Sequence, residues 1–333
     1  MASVFMLSLA LDKPFRLDWN RKGRLEQYFD VEQSFLFPVT NKTEEKLFLN
    51  VKSEKQFFNF ARDVRKSTSS LTIRANILIG IEGVLRNPKF RKEKLFKLFP
   101  NFSIQQDRGP LISAVLKFLI GSPNQQLKKL YDKCVGSFLG KSLKIGLQIR
   151  VGDSKGDSRV EGQKMDCFSD KIFSDFPVLQ NRQKLVVFIT GDSDNKFNRI
   201  IERIRSQNIT IFSSGEKCGE LEFSHIDKSM GASTEQWISQ AKTFLDWYAL
   251  TQMDRLYITR SGFGESASMV SQVPTQRFQH WFQTCSWSSF DFEHGRTFYY
   301  EHVNVKTFYD KFINTLNDVY NASFIQSVKK NPF

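Results

Sequence analysis

Three short stretches of this 333-residue chain carry side chains that could bind and activate a charged substrate. In Gln148-Ile-Arg150-Val-Gly152-Asp153, an alternating apolar run ends on an arginine, a glycine and a carboxylate. Arginine offers a planar fork of donors suited to a diphosphate, and glycine lets the backbone approach a ligand closely. A strand-end salt bridge would use the same residues. In Thr190-Gly-Asp192-Ser-Asp194, two carboxylates follow the apolar run 184–190. Such a pair can hold a divalent cation, accept hydrogen bonds from ribose or a base, or cap a helix.

The third stretch begins with Asp246 inside Phe244-Leu-Asp-Trp-Tyr-Ala-Leu250 and continues through Asp254 to Arg260-Ser261-Gly262-Phe263-Gly-Glu-Ser266. A carboxylate in so apolar a segment is costly unless paired. Guanine presents two adjacent N–H donors that one carboxylate can accept together, so Asp246 is a candidate base reader, with an exposed helix-face carboxylate as the alternative. Ser261, Gly262 and Phe263 open a helix, where unpaired backbone N–H groups suit phosphate oxygens and an ordinary turn is the alternative.

Elements that would position these groups are visible mainly after Gly140. Residues 143–151, 184–190, 209–212 and 255–259 read as strands, separated by helix-period segments around Ile200 and Tyr248. This is a doubly wound α/β pattern, which gathers ligands at the carboxyl ends of its strands. In the first half, 14–19 and 71–80 read as strands, and 54–66, 90–99 and 111–139 as helical, the last broken near Gly121-Ser-Pro123. The length suggests two domains, 1–140 and 141–333, with a last helix at 307–324 that crosses back to the first.

These blocks, in this order, resemble the fucosyltransferase superfamily of α1,2-, α1,6- and protein O-fucosyltransferases, whose members carry an HxRxGD-like motif. Gln148 stands where those families usually have His; the xyloglucan-type fucosyltransferases resemble this chain in having Gln. Residues 6–19 also resemble the first helix and second strand of these enzymes, without the preceding strand and glycine-rich loop. The resemblance implies a GT-B-like fold, two Rossmann-like domains facing a cleft, with an acceptor-side N-terminal half and a GDP-fucose-binding C-terminal half. It implies donor contacts from Gln148, Arg150, Gly152, Asp192, Asp194, Asp246, Ser261, Gly262 and Phe263. It further implies an inverting transfer of fucose to a glycan or glycoprotein hydroxyl, with no metal or other cofactor.

Direct displacement at the anomeric carbon needs stabilisation of the departing diphosphate, for which Arg150 is suited, and a base for the acceptor hydroxyl, for which Asp153, Asp157 and Glu161 are the candidates. A metal-dependent transferase using Asp192 and Asp194 with another nucleotide sugar is the second reading. An inactive homologue that binds a glycan or a protein is the third.

Composition bounds these readings. Lys and Arg outnumber Asp and Glu by 48 to 35, giving +13, which fits an anionic partner such as a nucleotide diphosphate, nucleic acid or an acidic membrane face, but the basic residues are dispersed, which speaks against nucleic acid and is more often a solvated face. Cys134, Cys167, Cys218 and Cys285 lack zinc-ligand spacing and are either free or paired in one of three ways. Sequons at Asn41, Asn101, Asn208 and Asn321 point to a secretory lumen, Golgi or endoplasmic reticulum, in line with the resemblance. No run approaches the ~18 apolar residues of a membrane span, so membrane attachment is expected only through an anchor outside this chain. The cluster Trp281, Trp287, Phe290 and Phe292 could stack on sugar rings, although packing is the stronger expectation for a chain with 33 Phe.

Overall fold

A computed structural model describes residues 29, 46–51, 54–63, 70–75, 84, 86–87, 104–151, 162–176, 184–192, 197–218, 235–278 and 285–290. The chain divides into two compact units. The first comprises 1–18, 31–121 and 300–333, and the second comprises 19–30 and 122–299. The expected elements at 14–19, 90–99 and 307–324 lie outside the described residues.

In the first unit, β1 (Lys46–Val51) and β2 (Ser70–Ala75) pair in parallel, from Lys46 opposite Ser70 to Val51 opposite Ala75. Parallel neighbours require a crossover, and α1 (Glu54–Asp63) lies between them in sequence. Asn87 donates its side-chain amide to the Ala61 carbonyl at 3.0 Å, a bond buried from solvent. The helix α2 (Ile104–Ile120) completes the described part.

The expected break near Gly121-Ser-Pro123 is present. Helix α2 ends at Ile120, and a Cβ on Gly121 would lie 2.3 Å from the Lys117 carbonyl oxygen. Asn124 then caps α3 (Gln125–Tyr131), accepting from the Leu127 N–H at 2.8 Å. A π-helical turn, Asp132–Gly136, and the short α4 (Ser137–Leu139) follow, and Gly140 leaves the helix at φ +53°, a conformation glycine adopts without cost.

Among the described residues, the second unit is built on six strands. They are β3 (Leu143–Ile149), β4 (Leu185–Gly191), β5 (Thr210–Phe212), β6 (Arg255–Ile258), β7 (Thr275–Phe278) and β8 (Trp287–Ser289). Beside α3 and α4, its described helices are α5 (Asp166–Asp175), α6 (Asn198–Arg205), α7 (Ser214–Cys218), α8 (Glu235–Thr251) and α9 (Gly262–Ser271). The sheet order is β5-β4-β3-β6-β7-β8, parallel except for β8, which runs against β7. The chain thus winds outward from β3 through β4 to β5, then returns to lay β6 on the other side of β3. That reversal is the topological switch point at which open parallel sheets bind ligands.

Strand alternation decides what covers each face. Ile145, Leu147 and Ile149 of β3 join Val187, Ile189 and Tyr257 in a core closed by Phe168 and Ile172 of α5 and Ile200 and Ile204 of α6. Fully burying each such side chain contributes about 1.5–3 kcal/mol. Trp287 stacks edge-on against Phe168, Tyr257 and Phe278 at 4.9, 5.7 and 5.2 Å, so it serves packing, as expected of most of the aromatics. The Tyr257 hydroxyl donates to Asp175 at 2.7 Å; burial, reinforced by that bond, holds the phenol above its ordinary pKa. On the opposite face, Gly146 lets α8 approach, since a Cβ there would meet Leu250 at 2.9 Å.

The four cysteines form two disulfides, Cys134–Cys218 and Cys167–Cys285, which settles a pairing the sequence leaves open. Among the described residues no helix is long and apolar enough to cross a membrane.

Candidate functional site

The carboxyl ends of β3, β4 and β6 meet at the switch point, and their side chains clasp one another there. From β3, the backbone N–H of Arg150 donates to Thr259 Oγ1 at 3.0 Å, and that hydroxyl donates to Gln148 Oε1 at 3.2 Å. Gln148 is buried, at 3% exposure, and lies beneath the first turn of α9. The helix can start there because Gly264 has no side chain: a Cβ would sit 2.7 Å from Gln148 Oε1 and 3.1 Å from Ile258. Gly264→Ala is therefore expected to destabilise the second unit by about 1–3 kcal/mol through overpacking. A urea melt followed by circular dichroism measures it, and an unchanged midpoint would remove Gln148 as the floor of this corner.

The second clasp joins β3 to β4. Asp192 Oδ1 accepts from the Val151 N–H at 2.8 Å, and Oδ2 lies 3.9 Å from Arg150 Nε. Arg150 keeps about a third of its side chain, 32%, open to solvent, whereas the Asp192 side chain keeps 7%. The carboxylate thus fixes the exit of the chain from β3 and stands beside the Arg150 guanidinium. It does not cap the next helix, which begins at Asn198 after Phe197.

Opposite Arg150 across the switch point, α9 begins. Ser261 is its N-cap, accepting from the Phe263 N–H at 3.3 Å, and exposed Gly262 occupies the first turn. A helix start of this kind carries the positive end of the helix dipole. Glu265, also in the first turn, pairs with Arg277 of β7 at 3.3 Å.

Asp246 is not the exposed helix-face carboxylate that the sequence also allowed. It is 1% exposed and bonded internally on three sides. Its Oδ2 accepts from Thr190 Oγ1 at 2.7 Å and from Lys242 Nζ at 2.9 Å, and its Oδ1 accepts from the Ser214 hydroxyl. Lys242 is equally buried. The pair lies one helical turn apart on α8 and ties the end of β4 to the start of α7. Asp254 stands at the other end of the sheet, accepting from the Lys144 N–H at 2.8 Å where β6 begins.

The structure thus brings Gln148, Arg150, Asp192, Ser261, Gly262 and Phe263 to one edge of the sheet, with Asp246 behind it. Gly152, Asp153, Asp157, Glu161 and Asp194 lie outside the described residues. Among the described residues, no group of three or more His, Cys, Asp or Glu is placed to hold a metal ion. Thr259, Ser214 and Lys242 were missed by sequence reasoning. Lys242 and Asp246 had a usable signal, opposite charges at i,i+4 in a helical apolar segment.

No protein-family profile matches this chain, and no curated protein matches it in sequence. Solved structures do. A mutant of Arabidopsis thaliana FUT1 in complex with GDP superposes with a TM-score of 0.64 over 90% of this chain and 72% of that one, at 16% identity. The α-1,6-fucosyltransferase NodZ, co-crystallised with GDP, gives 0.52 over 86% of this chain and 92% of that one, at 11% identity. A further structure of fucosyltransferase NodZ, from Bradyrhizobium, gives 0.50 over the same shares, again at 11% identity. The mixed α/β fold built on the six-stranded sheet therefore matches that of these solved fucosyltransferases.

Proposed function

We propose that this protein transfers L-fucose from GDP-fucose to a hydroxyl of a glycan or glycoprotein, inverting the anomeric carbon without a metal. The observation that carries this reading is the corner at the switch point, where Arg150 and the N-terminus of α9 follow the adjacent strands β3 and β6, joined by the Arg150–Thr259 bond. A guanidinium and a helix start offer complementary donors to a diphosphate. Both would bear on the leaving group as the bond from fucose C1 to the phosphate oxygen breaks. The acceptor oxygen forms the new bond from the opposite side, and its proton passes to a carboxylate of the segment that follows β3, with Asp153, Asp157 and Glu161 as the candidates.

Gly152 and Asp194 would complete the donor contacts. Asp192 supports the metal-free reading because its Oδ1 accepts from the Val151 N–H and the positive Arg150 already stands 3.9 Å from its Oδ2. Asp246 would act from behind, holding the pocket wall formed by Thr190 and Ser214. The chain would be GT-B-like, two Rossmann-like domains, with donor contacts in residues 141–333 and acceptor contacts in 1–140. The two disulfides support residence in the Golgi or endoplasmic reticulum lumen.

Calorimetric titration of GDP, in EDTA and then in Mn²⁺, tests the reading. Wild type is expected to bind equally in both. Arg150→Ala is expected to lose roughly 10- to 100-fold in affinity, since a hydrogen bond to a charged group contributes about 1.5–3 kcal/mol. Binding that requires Mn²⁺ would favour the metal-dependent transferase. Folded wild type that ignores GDP would favour the inactive homologue.

A further inference from the structure

We propose that Asn208 is a site of N-linked glycosylation, placed at the end of the sheet remote from the nucleotide corner. The sequon Asn208-Ile209-Thr210 spans the turn from α6 into β5. Ile209 points inward, 7% exposed, and belongs to the core beneath α5 and α6. Asn208 and Thr210 on either side of it are exposed. One buried residue between two exposed ones is the alternation of a strand entering a sheet, and it leaves the carboxamide and the hydroxyl both accessible.

The backbone at this point is well held. Asn208 has φ +58° and its N–H donates to the Arg205 carbonyl at 2.9 Å. Its neighbours Arg205, Ser206 and Gln207 are exposed as well, so the tip of the turn is polar and presents no apolar surface for another element to cover. Asparagine tolerates the left-handed region better than most residues, which by itself accounts for an Asn at 208. It does not account for an exposed hydroxyl two residues on.

Two further observations favour the modification. All four cysteines of the chain are paired, and disulfides persist in the oxidising compartments in which sequons are glycosylated. In addition, among the described residues β5 is an edge strand of the six-stranded sheet and only three residues long. A bulky hydrophilic group at its start would guard an edge open to pairing with another chain. The glycan would stand at the amino end of the strand, whereas Arg150 and α9 stand at carboxyl ends, so substrate access is unaffected.

In the reaction, the side-chain amide nitrogen of Asn208 attacks the anomeric carbon of an oligosaccharide carried on a lipid diphosphate. The new C–N bond forms as the C–O bond to the diphosphate breaks, the diphosphate leaves with the electron pair, and the amide gives up one proton.

The test uses the full chain secreted from mammalian cells behind a cleavable signal, with both disulfides verified. Trypsin releases Ser206–Lys217, in which Asn208 is the sole asparagine. The expected result is that the unmodified peptide is depleted and returns after peptide-N-glycosidase treatment with the Asn208 amide converted to a carboxylate. Thr210→Val, which keeps a β-branched residue in the strand, should restore the unmodified peptide without the glycosidase, and Thr210→Ser should keep the modification. An unmodified Ser206–Lys217 peptide from secreted, disulfide-bonded wild type overturns the proposal and leaves the fucosyl-transfer reading untouched.

Discussion

Lys242→Met alone should destabilise the second unit by about 3–5 kcal/mol, because it strands the Asp246 carboxylate in an interior from which water is excluded. Both side chains are 1% exposed. Taking two charges out of water costs several kcal/mol each, and their mutual attraction offsets this only while both are present. The double variant Lys242→Met/Asp246→Asn removes both charges and keeps an acceptor for the hydroxyls of Thr190 and Ser214, so most of the lost stability should return. Chemical denaturation of wild type, the single variant and the double variant measures the pattern, and a single variant as stable as wild type would show that the pair is open to solvent. GDP titration of the double variant asks a separate question. If Asp246 holds the pocket wall, affinity should stay within a few fold of wild type. If it accepts the two N–H donors of guanine, an amide in its place sets donor against donor and affinity should fall steeply.

Periodicity made most of the second unit legible. The runs around Ile145, Val187, Ile211 and Leu256 are apolar because parallel strands are covered on both faces, and each became a strand within about two residues of its expected ends. The break after α2 was legible for a similar reason, since Gly121 and Pro123 each have one conformational meaning in a helix. Where pattern was short, it failed. None of β1, β7 and β8 was anticipated: Lys46–Val51 does not alternate, Thr275–Phe278 and Trp287–Ser289 carry one apolar residue each, and such runs acquire strand geometry from the partner they pair with. Helix α5 was missed because it follows β3 only after a long intervening stretch, and its inward residues, Phe168 and Ile172, are too few to declare a period.

The site was legible as a list of residues more than as an arrangement. Of the residues singled out at strand ends, Gln148, Arg150, Asp192 and Ser261 do lie together at the carboxyl ends of β3, β4 and β6. What the residues do for one another depends on contacts between distant segments. Thr259 links Arg150 to Gln148 across 109 and 111 positions, and Ser214 reaches Asp246 across 32. No local spacing encodes such bonds. Asp246 makes the point most directly. The cost of burying a carboxylate predicted correctly that it must be paired, and three internal donors rather than solvent supply the pairing.

The two disulfides should contribute to stability on the scale of the buried Lys242–Asp246 pair, and they should separate in their effect on the nucleotide corner. Cys134–Cys218 closes 84 residues and Cys167–Cys285 closes 118. Chain entropy alone assigns each about 4–5 kcal/mol, less whatever residual structure the unfolded chain keeps. Cys134→Ser/Cys218→Ser and Cys167→Ser/Cys285→Ser should therefore each lower the urea midpoint well below that of wild type, and a midpoint unchanged in either pair would mean that bond closes no native constraint. Binding should distinguish them. Cys218 ends α7, the short helix that begins at Ser214 and is joined there to Asp246. Freeing that helix loosens the wall behind the switch point, so GDP affinity should drop several-fold. Cys167 belongs instead to the core on the opposite face of the sheet, with Phe168 and Ile172. Losing its bond should cost stability while GDP affinity at temperatures below the melt stays close to wild type, and an equal loss of affinity in both pairs would show that the corner answers to the stability of the whole unit rather than to α7.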